Sequence, residues 1–357
     1  MEAYNSDREF SDEEIDNNQE TTNNETLPWI EKYRPKTLDD IISHNDIINT
    51  LRTFIRKRCL PHLLLYGPPG TGKTSIITAC AKELYGKYYN FMVMELNASD
   101  DRGIEVVRNK IKEFVISKNV FFGEKEEDRD NIFKLVILDE TDAMTDDAQA
   151  ILRKVVEKYT GNTRFCLICN YIQKINPALQ SRCTGFRLSP LKSEHIRNKV
   201  IEIGKIENIK LTKSGIDTVI KRSHGDMRKV LNILQSTNMA YTTVNSKNIN
   251  NCLGYPQNSH INTIIDSLIN KDFQVGYNNI YELKEQEGLA LTDIVHEIHD
   301  IIVDHMMDKV NNKNIKKLSD IHICKILDRL RIIDYNLSVN TIDNIQLGAL
   351  VSVFKLN

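Results

Sequence analysis

The sequence has almost no excess of charge: 47 Lys and Arg against 49 Asp and Glu leave a net charge of −2 over 357 residues. A chain so balanced has no strong overall positive field, so any surface for nucleic acid must be a local patch. No apolar stretch reaches the length that spans a bilayer. The N-terminus is polar and acidic and lacks the pattern of a secretory signal. The seven cysteines, Cys59, Cys80, Cys166, Cys169, Cys183, Cys252 and Cys324, are scattered, so they read as reduced thiols. Cys166 and Cys169 have C-x-x-C spacing, but no second such pair and no paired histidines lie near them. Inside the apolar run Phe165–Cys169, a plain buried strand is favoured over zinc or redox chemistry. Internal repeats and heptad runs are also missing, which excludes solenoids and long coiled coils. The length suggests two or three domains. Arg56-Lys57-Arg58 reads as a solvated helix face rather than a nuclear signal.

The most informative run that is present is Gly67-Pro68-Pro69-Gly70-Thr71-Gly72-Lys73-Thr74. It fits G-x-x-x-x-G-K-[ST], a loop that wraps the phosphates of a nucleotide. Glycines let backbone N–H groups approach the phosphates closely. Lys73 is placed to reach the β- and γ-phosphates, and Thr74 to hold Mg2+. The apolar run Leu63–Tyr66 before it predicts a buried strand, and Thr74 to Leu84 predicts a helix. The start of that helix directs partial positive charge at the phosphates.

Residues 1–26 carry nine acidic residues and one arginine among Asn, Ser and Thr, a composition that predicts a disordered acidic tail. From about Leu27 to Leu188, apolar runs alternate with helical patterns. Strands are predicted at His62–Tyr66, Phe91–Leu96, Leu135–Asp139 and Arg164–Cys169, and helices at 46–57, 74–84, 103–115 and 146–158. The alternation implies an α/β fold with a mostly parallel sheet. Gly123–Asn131 reads as a charged loop. From 189 to 254 the pattern gives three helices, at 192–206, 212–223 and 226–240. From 255 to 357 it gives helices at 258–270, 272–286, 289–310, 313–334 and 342–354.

The strand Leu135–Asp139 ends in Asp139-Glu140. Beside a phosphate loop, Asp139 suits Mg2+, directly or through water, and Glu140 suits activation of the attacking water. Asn170 ends the next predicted strand and is able to hydrogen-bond a γ-phosphate, though a strand-end asparagine is also an ordinary turn residue. Arg182 and Arg228 are candidates for stabilising transition-state charge. Spacing alone does not separate that role from a surface arginine.

Four further runs carry a family resemblance. Pro28-Trp29-Ile30-Glu31-Lys32-Tyr33-Arg34-Pro35 resembles the opening box of replication factor C small subunits, and Glu95–Gly103 resembles another of their boxes. Ser181-Arg182-Cys183 is similar to their arginine-finger motif, and Gly225-Asp226-Met227-Arg228 to their second sensor. The motifs follow the family order from about Leu27 to the C-terminus and are most similar to the third small subunit of the eukaryotic-type complex. The resemblance implies an AAA+ P-loop ATPase domain over 27–188, a three-helix lid over 189–254 and an all-α collar over 255–357. It implies an arc of five subunits that opens a ring-shaped sliding clamp and loads it on primer–template DNA, in the nucleus or another intracellular replication site. On this basis Arg182 acts in trans on a neighbour's nucleotide, Arg228 senses this subunit's γ-phosphate, and Asn170 is the first sensor. Trp29, Tyr33, Arg34 and Pro35 lie near the adenine and ribose. Two positions depart from the family pattern. Thr141 stands where relatives usually have alanine, with little effect expected, and Gly185 where they usually have arginine, which weakens one subunit contact.

The resemblance also places Arg102, Arg108, Lys112 and Arg153 on helices that follow the DNA backbone, with Arg102 and Arg108 foremost. Such contacts read duplex shape and weaken with salt. Val120-Phe121-Phe122 is either a clamp contact or a piece of the subunit's own core. Two rival functions share the phosphate loop: a nucleotide-holding scaffold that hydrolyses little, and a ring-forming AAA+ motor on DNA.

Overall fold

The computed structural model describes residues 27–99, 104–116, 133–307, 314–339 and 341–355. The acidic tail, Arg102, Val120, Phe121, Phe122 and the loop Gly123–Asn131 lie outside these, as does the side chain of Arg108. The described residues form two compact units. One runs up to Asn208 and takes in Val219–Gln235; the other comprises Ile209–Thr218 and the chain from Ser236 onward.

The first unit opens with α1 (Trp29–Lys32) and α2 (Asn45–Arg56), then β1 (Leu63–Tyr66) and α3 (Lys73–Tyr85). The short α4 (Tyr89–Met92) leads into β2 (Val93–Asn97), and α5 (Ile104–Ile116) follows. Next come β3 (Lys134–Asp139), α6 (Asp146–Tyr159), β4 (Thr163–Cys169), α7 (Pro177–Gln180), β5 (Thr184–Arg187) and α8 (Ser193–Ile206). The five strands are all parallel, in the order β2-β3-β4-β1-β5. Parallel strands covered by helices on both faces are buried throughout, which is why β3 and β4 are apolar runs rather than alternating ones.

Strand β4 shows how the two faces are filled. Cys166 and Ile168 join Leu63, Leu65, Ile76 and Ile77 on one side of the sheet. Phe165, Leu167 and Cys169 join Leu64, Val136, Leu138 and Leu152 on the other. The two cysteines of the C-x-x-C run therefore face opposite cores, because side chains alternate along a strand. Burial pushes the Cys169 thiol up to about 12 and that of Cys166 well above its ordinary value, so both stay protonated. The strand reading is the one the fold adopts.

Several boundaries shift. Phe91 leaves the predicted strand for α4, where it is 72% exposed. The strand β5 is not among those expected. It pairs with β1, Leu63 opposite Thr184 and Tyr66 opposite Arg187, and forms a sheet edge. The α9 (Lys213–Ser223) and α10 (Met227–Ala240) helices follow the expected pattern closely.

The second unit adds the two-residue strands β6 (Lys210–Leu211) and β7 (Thr243–Val244) and a helix the sequence did not announce, α11 (Ser246–Leu253). Then come α12 (Asn258–Asn270), α13 (Phe273–Glu287), α14 (Leu291–Met306), α15 (Asp320–Ser338) and α16 (Asp343–Val353). Helix α15 starts seven residues later than expected, at an N-cap where the Ser319 hydroxyl accepts the N–H of His322 at 3.3 Å. An aliphatic core of Ile264, Leu268, Ile298, Ile326, Leu350 and their neighbours holds these helices together. No helix of the described residues is long and apolar enough to cross a membrane.

One core contact has a pH signature. The Phe165 backbone N–H donates to His62 Nδ1 at 3.1 Å, and His62 Nε2 lies 3.3 Å from the Thr160 hydroxyl. Burial, with the nearby Arg164 charge adding to it, lowers the His62 pKa to about 4. The unfolded chain takes up this proton near pH 6.5, so the unfolded state gains protons first. Stability is therefore full above pH 6.5 and declines as pH falls toward 4. Thermal unfolding followed by circular dichroism across that window should show the decline, and His62→Gln should flatten it. An unchanged slope in the variant would assign the acid sensitivity elsewhere.

Candidate functional site: a phosphate loop under a helix start

In an open parallel sheet, ligands bind beyond the carboxyl ends of the strands. Strands β1, β3 and β4 all deliver their ends to one cavity of about 400 Å3. From β1 comes the loop Gly67–Gly72, which turns directly into α3 at Lys73. The positive backbone angles of the loop fall on glycines, where no Cβ resists them: Gly67 (φ 145°), Gly70 (φ 67°) and Gly72 (φ 91°). Thr71 is buried, and its hydroxyl donates to Pro68 O at 2.9 Å, closing the loop on itself.

Lys73 is 7% exposed. Its ammonium donates to Gly67 O and Pro68 O, each at 2.8 Å, and to Asn170 Oδ1 at 2.9 Å. Burial lowers its pKa, while the Asp139 carboxylate opposes that effect and the Arg228 charge adds to it. The Thr74 hydroxyl donates to Asp139 Oδ2 at 2.6 Å, and the Glu140 N–H donates to Asp139 Oδ1 at 2.8 Å. A hydroxyl and a carboxylate placed side by side are hard oxygen ligands suited to Mg2+. Glu140 itself is exposed at the cavity wall, in the left-handed region at φ 53°.

The wall opposite the loop comes from α1, the segment after it, and the start of α10. Ile30, Glu31, Tyr33, Arg34 and Pro35 line the cavity, with Ile41, Ile42 and Ser43 beside them. Trp29 does not line it. Its side chain is buried, its ring stands edge-on to Tyr33 at 6.3 Å, and its backbone N–H donates to Gln235 Oε1 at 3.0 Å. The Tyr33 hydroxyl donates to Glu207 Oε1 at 2.5 Å, and the Lys32 ammonium reaches the same oxygen at 2.7 Å. Glu207 stands at the C-cap of α8, so it ties the cavity wall to that helix.

Met227, Arg228 and Leu231 complete the wall. The Met227 N–H donates to Gly70 O at 3.2 Å, so the start of α10 rests on the phosphate loop. Asp226 caps that start, with Oδ1 accepting from the N–H of Arg228 at 2.8 Å. A Cβ added at Gly70 would come within 1.7 Å of this same Asp226 oxygen. Gly70→Ala should therefore weaken nucleotide binding about tenfold, through left-handed strain of roughly 1–2 kcal/mol and displacement of the cap. Isothermal titration measures it; unchanged affinity would mean the loop relaxes freely.

Arg182 is not part of this cavity. It follows α7, and its side chain is 36% exposed. The guanidinium pairs with Glu157 on α6 and donates to Ala178 O at 2.6 Å. Arg153 Nε lies 3.6 Å from that same Glu157 oxygen, and Lys112 on α5 is half-buried. Thr141 is fully buried, and its hydroxyl donates to Leu138 O at 3.0 Å. An alanine there has no such bond. Gly185 is exposed on β5, where an added Cβ would meet only the Tyr66 ring at 3.5 Å.

Sequence reading supplied the loop, both acids and Asn170. It missed Asp142 and Glu207, which act through contacts far apart in the chain, Asp226, which caps the start of α10 locally, and the lining role of Ile41–Ser43. Nothing in the composition of that last segment marks a ligand wall.

The architecture and loop define a nucleotide-binding AAA ATPase: residues 63–191 match the ATPase family associated with various cellular activities. Residues 256–353 match the replication factor C C-terminal domain. Replication factor C subunit 5 of Homo sapiens is 49% identical over 331 residues, covering 92% of each chain, and that of Mus musculus matches equally. Replication factor C subunit 3 of Schizosaccharomyces pombe is 46% identical over 330 residues, covering 92% of this chain and 91% of its own. The chain belongs to the replication factor C small subunits, the AAA+ clamp-loader subunits of DNA replication.

Proposed function

We propose that this subunit binds ATP·Mg2+ in the cavity at the ends of β1, β3 and β4 and hydrolyses it within a five-subunit clamp loader. Gly67–Thr74 cradle the phosphates, and Lys73 exchanges backbone carbonyls for phosphate oxygens. Thr74 and Asp139 hold the metal, which supplies charge neutralisation between the phosphates. Glu140 takes the proton of the attacking water, and Asn170 holds that water or the γ-phosphate. Arg228 reports the γ-phosphate to α10. The observation that carries this reading is the convergence of Lys73, the Thr74–Asp139 pair and Arg228 on one cavity that Arg182 does not enter.

An arginine exposed away from its own nucleotide cavity suits donation to a neighbour, so Arg182 completes an adjacent subunit's site. Residues 189–254 serve as lid and 255–357 as the assembly collar. Lys112 and Arg153, with Arg102 and Arg108, follow the phosphate backbone of primer–template DNA. Val120, Phe121 and Phe122 contact the sliding clamp, and the assembly works in the nucleus. Native mass measurement of the chain purified with its companions tests the reading. A five-chain assembly that captures a ring-shaped clamp only with ATP is expected. A closed hexamer, or clamp capture indifferent to ATP, would contradict it.

A further inference from the structure

Asp142 lies two residues past Glu140, in the tight turn Thr141–Ala143. Its Oδ2 accepts the N–H of Asn170 at 3.3 Å and of Tyr171 at 3.2 Å. These are the first backbone donors beyond the end of β4 at Cys169. Donors at a strand end have run out of ladder partners and need another acceptor. One carboxylate oxygen supplies it to both, and its charge strengthens each bond.

The turn that presents Asp142 is itself fixed. The buried Thr141 hydroxyl donates to Leu138 O at 3.0 Å, and the Ala143 N–H donates to Glu140 O at 2.8 Å. At the other end, Asn170 Oδ1 accepts from the Lys73 ammonium at 2.9 Å. Three hydrogen bonds, joined by the covalent Thr141–Asp142 link and by Asn170 itself, thus connect the β3 backbone to the phosphate-loop lysine. Asp142 does not line the cavity. Its hydrogen-bonded route to the site is through Asn170, and its charge also favours the protonated Lys73.

We propose that Asp142 is a positioning residue of the ATP site: it clamps the exit of β4 so that the Asn170 amide is held against Lys73 and the incoming γ-phosphate. The proposal rests on the reading of Asn170 as a sensor. It assigns a task to the last acid of the Asp139-Glu140-Thr141-Asp142 run, which metal binding and water activation leave unused. It also gives the unusual Thr141 a use, as the pin of the turn that carries the clamp.

The test is a double-mutant cycle in the reconstituted complex, with Asp142→Ala, Asn170→Ala and both together in this subunit. Asp142→Ala should lower kcat about 10- to 100-fold, the range expected for losing a charge-assisted acceptor, with nucleotide affinity within about threefold. In the Asn170→Ala background the same change should cost less than about twofold, because paired residues are not additive. Asp142→Asn, whose side-chain oxygen still accepts both N–H groups, should recover most of the turnover. Equal losses in both backgrounds, or lost affinity with unchanged kcat, would overturn the proposal. Should Asp142→Ala not fold, amide hydrogen exchange at Asn170 and Tyr171 in Asp142→Ser, whose shorter side chain places no carboxylate oxygen against these N–H groups, decides: faster exchange supports the clamp, unchanged exchange overturns it. Full turnover in Asn170→Ala alone would refute the sensor reading instead, and the exchange result would still report on the contact.

Discussion

Arg182→Ala is expected to cut ATP turnover in the assembled complex about 1000-fold at the site this residue completes, the lower end of the range for a transferred guanidinium. In the free subunit the side chain occupies a surface position, paired with Glu157 and bonded to Ala178 O. It does not reach the subunit's own cavity. ATP binding by the isolated variant should therefore match that of the parent chain. Arg182→Lys should not rescue turnover, because an ammonium lacks the planar fork that pairs two phosphate oxygens. The readout is single-turnover hydrolysis with the other sites silenced. Loss of this subunit's own ATP binding would place Arg182 in cis and contradict the trans assignment.

Lys73→Ala carries the second large effect. The ammonium is buried and holds Gly67 O, Pro68 O and Asn170 Oδ1 together. Its removal takes a positive charge from beneath the phosphates and takes a donor from all three acceptors, of which Pro68 O keeps the Thr71 hydroxyl. Each charge-assisted bond is worth roughly 1.5–3 kcal/mol, so two lost phosphate contacts weaken ATP at least about 100-fold. Fluorescence titration with an ATP analogue measures this directly. The variant should also fail to support clamp capture at ATP concentrations that saturate the parent. Retained binding would mean the loop's backbone N–H groups suffice alone.

Legibility in the sequence follows the range of the interactions concerned. Strands β1, β3 and β4 are buried on both faces and so read as short unbroken apolar runs, while the glycines of the phosphate loop sit where positive φ is required. These features are local. Strand β5 was hidden because Thr184-Gly185-Phe186-Arg187 is largely exposed and contains a glycine; only pairing with β1 makes it a strand. Helix α11 was hidden because Ser246-Lys247-Asn248-Ile249-Asn250-Asn251 has poor helix propensity. It forms between two caps instead: Asn245 Oδ1 accepts the Asn248 N–H at 2.8 Å, and Gly254 closes the end at φ 73°.

In the site, the residues proposed to hold phosphate and metal follow known spacing. Those that hold them in place do not. Asp142 meets residues 28 and 29 positions away, and Glu207 meets Lys32 and Tyr33 across more than 170. Each reads in the sequence as an ordinary polar residue. Trp29, which a motif-level likeness associates with the base, is buried edge-on against Tyr33, a residue of the cavity wall.

The central claim is that the cavity beneath α10 is built for a nucleoside triphosphate. Equilibrium binding of ATP to the purified chain, with and without Mg2+, tests it most directly. The account predicts saturable one-to-one binding that Mg2+ strengthens and that Lys73→Ala removes. No measurable affinity for adenine nucleotides, whether the chain is alone or joined by its companion subunits, would contradict it.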